Sequence, residues 1–336
     1  MYHSRFKGTH YEAGFKWGSL ILKNGKKINE AHTFIITEER RKFARECIAE
    51  YEKYFPEILE EIRGIADGQQ MEFEELYTFL LSMYCFEFTN RCTCFAFKKD
   101  DEVIFGRNSD FLVELEKLYD SSFYKLNSGY SFIGNTTAFT EIEDGVNEYG
   151  LAVGLTFVYP RVRKPGLNAG MLVRYVLEKC KTIKEAVAVL KKLPIASAQT
   201  LTLADRTGDM AVIECNPYKF VEIVPEKNES FVAASNNFFS QEMEEYKNPD
   251  IDDWRAEERY YTVTNALKNN KDRYSYELAE KILSGKYGFM CQYDRKKGAD
   301  TVWSCIYLLD KNKIYRAEGN PARKKFKEDM RIKFKK

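Results

Sequence analysis

Cys92-Thr93-Cys94-Phe95-Ala96-Phe97 alternates small or polar residues with aromatic ones, which predicts a half-buried strand. A polar turn from Lys98 to Glu102 follows, and then Phe105-Gly106-Arg107-Asn108-Ser109-Asp110. An antiparallel return across this turn brings Arg107 and Asp110 near Cys92. A thiol, a guanidinium and a carboxylate at one end of a hairpin indicate a nucleophile with supporting charges. The alternative is a buried, inert cysteine beside a surface ion pair.

The scarcity of histidine limits which group can activate this thiol. The chain has three histidines, at positions 3, 10 and 32. A thiol nucleophile needs a base or a lowered pKa. An α-amino group, whose ordinary pKa is about 8, can act as that base, and a nucleophile at a chain N-terminus carries its own. Cys92 acquires such a group only if the Arg91–Cys92 bond is cut.

The overall composition indicates a globular protein with neither a nucleic-acid nor a membrane partner. Hydrophobic residues make up 44% of the 336 residues, and 52 Lys and Arg balance 51 Asp and Glu. The basic tail from Arg323 to Lys336 is expected to be a solvated end. No apolar run approaches the roughly 20 residues that span a bilayer. The segment from Met1 to Gly8 lacks the apolar stretch of a signal peptide.

The cysteines indicate a reducing compartment. There are eight and none forms a CxxC pair, so we expect free thiols and a cytoplasmic protein. Cys94 shares a strand face with Cys92; it is expected to be a core residue, with a second oxidisable thiol as the alternative. No Cys or His cluster has the spacing of zinc ligands, and no Gly-rich phosphate loop occurs. We therefore predict that the protein needs no metal and no organic cofactor.

The chain changes character near residue 90. The first part is predicted to be mostly helical, with one helical pattern over 38–64 that Pro56 interrupts. This order predicts α+β layers, two antiparallel sheets faced by helices. Residues 1–91 are expected to form a helical N-terminal segment packed on a core of residues 92–336. Further helices are predicted at 73–86, 170–181, 182–192, 253–268 and 275–283, and strands at 94–98, 102–107, 131–133, 152–157, 200–204, 210–215, 220–224, 231–234, 302–309 and 313–316.

Several of these stretches resemble a known superfamily. Cys92-Thr93 followed by the segment 105–110 resembles the start of the choloylglycine (bile-salt) hydrolases and penicillin V acylases. The region before Cys92 resembles instead the precursor of the acyl-CoA:6-aminopenicillanic acid (isopenicillin N) acyltransferase family. The stretches that carry the resemblance beyond the hairpin are 8–14, 60–68, 144–151, 235–237, 254–259 and 301–304 through 319–321.

The resemblance implies a four-layer αββα Ntn-hydrolase sandwich. It also implies an amidase that hydrolyses a linear, non-peptide amide through a thioester, after the chain has cut itself at Arg91–Cys92. By the same resemblance, Cys92 is the nucleophile, and Arg107 and Asp110 line the site and orient the new N-terminus. Asn236 is the oxyanion-hole asparagine and Arg259 a site arginine. Residues 1–91 then correspond to a propeptide or α-chain.

Two positions depart from the patterns of those families. Thr156 stands where the bile-salt hydrolases have a second oxyanion asparagine, so a hydroxyl or a backbone N–H is expected to replace it, with Phe157 lining the substrate site. Arg91 stands where the acyltransferases have glycine before the cut.

The aromatic residues 84, 86, 88, 139 and 157 belong either to an acyl pocket or to the core.

Alternatives remain open for individual residues and for the function. Asn236 is either an oxyanion donor or a turn residue. Arg259 is either a site residue or part of a solvated helix face. The resemblance fits a hydrolase of small-molecule amides, and equally an acyltransferase that moves an acyl group from a thioester donor to an amine. A protein of another class, an uncleaved binding module, is the third candidate. The sequence leaves self-association into a homo-oligomer open.

Overall fold

The computed structural model describes residues 1–31, 33–86, 90–251 and 253–335, with the backbone alone for Lys117. Phe88 of the predicted aromatic set and His32 lie outside the described residues. The helices in the described part are α1 His10–Lys23, α2 Glu38–Tyr54, α3 Pro56–Gln69, α4 Phe73–Ser82, α5 Ala169–Lys179, α6 Ile183–Leu190, α7 Ala256–Lys268 and α8 Tyr276–Leu283.

Two sheets form the centre of the molecule. The eight-stranded sheet has the order β1-β4-β5-β6-β7-β8-β9-β10, and the six-stranded sheet the order β11-β2-β3-β12-β13-β14. All pairs are antiparallel except β1–β4. The strands are β1 Arg5–Gly8, β2 Arg91–Lys99, β3 Glu102–Leu112, β4 Asp120–Leu126, β5 Phe132–Thr136, β6 Asp144–Asn147, β7 Ala152–Phe157, β8 Gln199–Ala204, β9 Met210–Cys215, β10 Phe220–Ile223, β11 Phe231–Ala234, β12 Ala299–Leu308, β13 Lys313–Ala317 and β14 Lys327–Glu328.

Three hydrophobic clusters separate four layers. One cluster joins α1–α6 to the outer face of the eight-stranded sheet. A second fills the space between the sheets, with Trp303 and Tyr307 among its largest side chains. In the third, α7 and α8 pack against Phe95 and Phe97 on the outer face of the six-stranded sheet. This αββα arrangement confirms the predicted fold class.

The hairpin β2–β3 has the geometry that its alternating sequence predicts. Its register pairs Cys92 with Ser109, Cys94 with Arg107 and Arg91 with Asp110. Because successive side chains point to opposite faces, Phe95 faces the helices, whereas Cys94 joins the cluster between the sheets. Cys92, two residues earlier, lies on that inner face as well. The nucleophile candidate is therefore positioned between the two sheets, near the start of a buried strand.

Close packing of α1 on α3 attaches the N-terminal helices to one another. A Cβ atom at Gly14 would lie 2.0 Å from the carbonyl oxygen of Glu61, and one at Gly64 would lie 2.2 Å from that of Tyr11. Only glycine allows two helix backbones to approach this closely. α1 begins with a capping box between Thr9 and Glu12. These contacts explain the Gly-containing stretches 8–14 and 60–68 that carry part of the resemblance.

The structure differs from the sequence-based predictions at the sheet edges and in the tail. Strands β1, β4, β6 and β14 were not expected, whereas helix α1 lies in the part predicted to be mostly helical, although no bounds were predicted for it. β1 buries only Phe6 within four residues, too few for a periodic pattern to stand out. The N-terminal segment is consequently not helical throughout, because β1 forms an edge of the larger sheet. The basic tail is partly packed: Ile332 is buried and Arg331 pairs with Asp329.

Candidate active site

Cys92 lies at the centre of a buried polar cluster. Its side chain is 0% exposed. The thiol donates a hydrogen bond to Asn90 Oδ1 at 2.7 Å, and Arg107 Nη2 donates to Sγ, also at 2.7 Å. The Arg91–Cys92 peptide bond is intact in this structure, and the N–H of Cys92 donates to Asn236 Oδ1 at 2.7 Å. Arg107 and Asn236, two of the residues expected at the site of Cys92, thus each contact Cys92 directly.

Arg107 is fixed by carboxylates on the facing sheet. Its Nη1 donates to Asp144 Oδ1 at 2.8 Å, its Nη2 to Glu143 Oε2 at 3.2 Å, and its Nε to the Leu155 carbonyl at 3.2 Å. Trp303 Nε1 donates to the same Asp144 oxygen at 3.0 Å. Because the guanidinium and both carboxylates are fully buried, each charge requires its partners. The planar guanidinium therefore has one orientation, in which Nη2 has a further N–H for the thiol.

Glu143 is a residue of this cluster that the sequence analysis did not identify. Its Oε2 accepts hydrogen bonds from Asn90 Nδ2 at 2.6 Å and Ser109 Oγ at 3.0 Å, and its Oε1 accepts from Thr137 Oγ1 at 2.7 Å. Glu143 shares both Asn90 and Arg107 with the thiol, so a carboxylate lies beside Cys92. The available signal was the acidic stretch 141–144 immediately before the Gly145 turn motif, which a surface loop would explain equally well.

Asp110 is held by two hydroxyl donors and lies within ion-pair distance of Arg259. It accepts hydrogen bonds from Thr301 Oγ1 at 2.5 Å and from the Tyr293 hydroxyl at 3.0 Å, and its Oδ2 is 3.8 Å from Arg259 Nη1. Burial raises the pKa of Asp110 to about 6, although Arg259 and the two hydroxyl donors act in the opposite direction. Asp110 is thus connected to Cys92 through Arg259, since Arg259 also contacts Cys92.

Arg259 projects from α7 into the site and is fully buried, so the expected alternative of a solvated helix face is wrong. Its Nη1 donates to the Cys92 carbonyl at 2.6 Å and to Thr93 Oγ1 at 2.9 Å, and its Nη2 donates to Asn236 Oδ1 at 3.0 Å. Asn236 Nδ2 donates to the Phe157 carbonyl at 2.7 Å. The amide of Asn236 therefore presents its oxygen to the Cys92 N–H and its nitrogen to β7.

The other expected site residues have different surroundings. Thr156 is buried, and its hydroxyl lies 2.6 Å from the Ser235 carbonyl, to which it donates, and 2.6 Å from Thr200 Oγ1. The Phe157 ring lies between Tyr84, at 5.9 Å, and the guanidinium of Arg91, also at 5.9 Å. Arg91, Asn236 and Phe157 line a cavity of about 20 Å³, which has room for about one water molecule. Among the aromatic residues, Tyr84 and Phe157 belong to the helix–sheet core, and half-buried Phe86 and Phe139 pack against it.

The thiols of the site are neutral in the uncut chain. Burial raises the pKa of Cys92 well above its ordinary value; Arg107 acts to lower it and Glu143 to raise it. Burial also raises the pKa of Cys94 to about 12, and its Sγ lies 3.9 Å from the Leu155 carbonyl. Cys94 belongs to the core between the sheets. With the Arg91–Cys92 bond intact, the site thus holds a protonated, hydrogen-bonded thiol.

Two further features bear on the kind of chemistry. Within the described ranges, no group of three or more His, Cys, Asp or Glu side chains is arranged to hold a metal ion. In the same part of the chain, every helix is too short or too polar to cross a bilayer.

Comparison with known proteins identifies a family and a fold. Residues 97–323 match the acyl-coenzyme A:6-aminopenicillanic acid acyl-transferase family. This range contains Arg107, Asp110, Asn236 and Arg259 and begins just after Cys92. Conjugated bile acid hydrolase from Clostridium perfringens shares the fold. One mutant form of it covers 72% of this chain and 98% of its own at 16% identity, with a TM-score of 0.50. A second variant covers 73% and 98% at 16% identity, with a TM-score of 0.51.

Two curated proteins match shorter stretches. β-Alanyl-dopamine/carcinine hydrolase of Drosophila melanogaster is 32% identical over 79 residues, which are 21% of this chain and 20% of that protein. Penicillin V acylase of Pectobacterium atrosepticum is 30% identical over 129 residues, 32% of this chain and 33% of that protein. The matched stretches thus span a fifth and a third of these relatives.

Proposed function

We propose that this chain, which belongs to the acyl-coenzyme A:6-aminopenicillanic acid acyl-transferase family, is an amide hydrolase that cuts its own Arg91–Cys92 bond to free its nucleophile. The observation that carries the proposal is the set of contacts at Cys92: a guanidinium 2.7 Å from Sγ, and an amide oxygen 2.7 Å from the nitrogen. The relatives that match shorter stretches carry the names of amide hydrolases, which supports hydrolysis as the outcome.

The first step makes the catalyst. Glu143 takes the thiol proton, and the sulfur of Cys92 attacks the Arg91 carbonyl carbon. The C–N bond then breaks, the Cys92 nitrogen takes a proton, and Arg91 is left as a thioester on Sγ. Water hydrolyses this thioester and releases an Arg91 carboxylate and a free thiol. Glu143 has this role because the α-amine, the base of the mature site, does not exist before the cut.

The second step uses the amine that the first step produced. The α-amine takes the thiol proton, the thiolate attacks a substrate amide, and the amine then protonates the leaving nitrogen. Asn236 Oδ1, which accepts from the Cys92 N–H in the uncut chain, would accept from the ammonium. Arg107 stabilises the thiolate. Asp110 balances the charge of Arg259 beside the new N-terminus.

The oxyanion of each thioester step needs donors. An Asn side-chain amide has two N–H groups, and the Phe157 carbonyl accepts one of those of Asn236. The second N–H can face a carbonyl oxygen in the adjoining cavity. The Thr156 hydroxyl donates to the Ser235 carbonyl. A donor to the oxyanion from position 156 would therefore be the backbone N–H. We accordingly assign Asn236 as the oxyanion donor. Thr156 holds Ser235, the residue before Asn236, in place.

The two other candidate functions differ in what they require of the site. Acyl transfer shares the acyl-enzyme and differs only in whether an amine replaces water, and the family match favours it as the second candidate. An uncleaved binding module needs a cavity for its ligand. The space beside Asn236 is about 20 Å³, whereas a larger cavity of about 550 Å³ is lined by other residues, among them Ile183, Val187 and Met210. A ligand bound in the larger cavity would not use the contacts of Cys92, and those contacts are what favour the hydrolase over the binding module.

The experiment combines the mass of the purified protein with product analysis. We expect two pieces divided between Arg91 and Cys92, and release of a free acid from an amide substrate. The assay is repeated with a primary amine and with an acyl thioester. Acylated amine as the main product would establish transfer instead of hydrolysis. An intact chain without either activity would contradict the proposal, and Cys92→Ala is the control for contaminating hydrolases.

A further inference from the structure

The side chain of Arg91 occupies a pocket beside the nucleophile. It is 5% exposed. Its guanidinium carbon lies 5.9 Å from the centroid of the Phe157 ring and 6.0 Å from that of Trp254, within the range of a cation–π interaction. Its Nη1 donates to the carbonyl of Asn90 at 3.0 Å. The residue before the cut is therefore a buried cation held between two aromatic rings.

The chemistry of self-cleavage makes this pocket the acyl pocket of the mature site. When Sγ of Cys92 forms a bond to the Arg91 carbonyl carbon and the C–N bond breaks, Arg91 becomes the acyl part of a thioester. After water has released the Arg91 carboxylate, a substrate amide forms the same kind of thioester on the same sulfur. The acyl group of the substrate consequently occupies the place that Arg91 leaves.

The charges around this place favour a cation. The two other arginines of the site are already balanced, because three buried carboxylates lie within ion-pair distance of them. The pairs are Arg107 with Glu143 and Asp144, and Arg259 with Asp110. Asp253 adds a carboxylate to the lining of the cavity that Arg91 shares. After Arg91 has left, these four carboxylates face two guanidinium groups and the new α-amine of Cys92, so acidic groups still outnumber basic ones by one.

The geometry points to a substrate class: amides whose acyl group carries a guanidinium or alkylammonium side chain, held between Phe157 and Trp254. This assignment rests on the proposed function, since it applies to the cleaved enzyme. A neutral aromatic acyl group is the competing occupant, because two rings also accept a third ring. The two differ in charge, which makes them separable by matched substrates.

The test uses the cleaved wild-type protein and three p-nitroanilides, those of acetyl-arginine, acetyl-citrulline and acetyl-phenylalanine. Citrulline has nearly the shape of arginine without its charge, and the acetyl carbonyl replaces that of Asn90. We expect kcat/KM for the arginyl anilide to exceed that for the citrullyl anilide about tenfold. Trp254→Leu should reduce this ratio to about threefold or less, whereas Tyr218→Leu, at an exposed ring, should leave it unchanged. Cys92→Ala protein must be inactive on all three.

The outcomes separate this inference from the proposed function. A cleaved enzyme that hydrolyses the citrullyl or phenylalanyl anilide as fast as the arginyl one would overturn the substrate class and leave the amidase intact. A cleaved enzyme that is inactive on all three anilides but hydrolyses another amide would also overturn the substrate class and leave the amidase intact. A chain that stays whole and hydrolyses no amide would overturn both.

Discussion

Arg107 Nη2 lies 2.7 Å from Cys92 Sγ, and the same nitrogen lies 3.2 Å from Glu143 Oε2. One guanidinium thus joins the thiol to a buried carboxylate. A positive charge favours the thiolate, but burial opposes it, and the net pKa of Cys92 is raised well above its ordinary value. The uncut chain therefore holds a protonated thiol whose charged form has a stabilising partner already in place.

Glu143→Gln should slow self-cleavage about 10²-fold, because it removes the base that accepts the thiol proton before the α-amine exists. The amide can keep the hydrogen-bond donors of the site in place. The measurement is the fraction of cut chain against time after synthesis. Glu141→Gln is the matched control: Glu141 is also buried in this stretch but accepts from Asn168 at 2.9 Å, away from Cys92. Equal cleavage rates in the two variants would exclude Glu143 as the base.

The α-amine must be neutral to take the thiol proton, so kcat/KM should begin to fall below the pKa of that amine, ordinarily about 8. It should fall again, in a lower acid limb, as the pH passes through about 6, the pKa to which burial raises Asp110. Above that pH the carboxylate balances Arg259; below it Asp110 is neutral and the charge of Arg259 is unbalanced. The acid limb is read from kcat/KM against pH in the cleaved enzyme. The Asp110→Asn enzyme should have low activity, and its kcat/KM should show no acid limb near pH 6. If the limb persists unchanged in Asp110→Asn, another group titrates there.

Asn236→Ala should lower kcat and kcat/KM together by about 10²- to 10³-fold, because an oxyanion donor acts mainly in the transition state. Steady-state kinetics of protein that has already been cleaved gives both constants. An unchanged kcat with a raised KM would instead assign Asn236 to substrate binding. Asn24→Ala is the control, since Asn24 is exposed at the C-terminal end of α1 and its Nδ2 donates to the Leu20 carbonyl at 2.8 Å, outside the contacts of Cys92.

Gly64→Ala should destabilise the protein by about 1–3 kcal/mol, because its Cβ would lie 2.2 Å from the Tyr11 carbonyl oxygen and force α1 away from α3. Denaturant unfolding measures the change. Glu60→Ala, at an exposed position of the same helix, controls for the added helix propensity. Equal stability of the two variants would mean that α1 and α3 can separate without cost.

The sequence predicted the centre of this protein better than its edges. The alternation from Cys92 to Phe97 determines both the strand and the face of each side chain. The proximity of Arg107 to Cys92 could therefore be predicted from the strand pattern and the turn alone. Arg259 could be placed only through the resemblance, because its helix carries charges on most sides. Glu143 and Asn90 join the site through contacts between segments distant in sequence, and no local pattern encodes such contacts. Short edge strands such as β1 could not be predicted for a related reason, since pairing with a neighbouring strand stabilises them more than their own residues do.

The central claim is that Cys92 first cuts its own chain and then turns over substrate. Its most direct test is intact mass with N-terminal sequencing of wild-type, Cys92→Ala and Cys94→Ala proteins. We predict that the wild-type and Cys94→Ala proteins each give a second piece that begins at residue 92, and that Cys92→Ala stays whole and inactive. A wild-type chain that remains whole yet hydrolyses an amide would contradict the account, as would a Cys94→Ala chain that is folded but never cut.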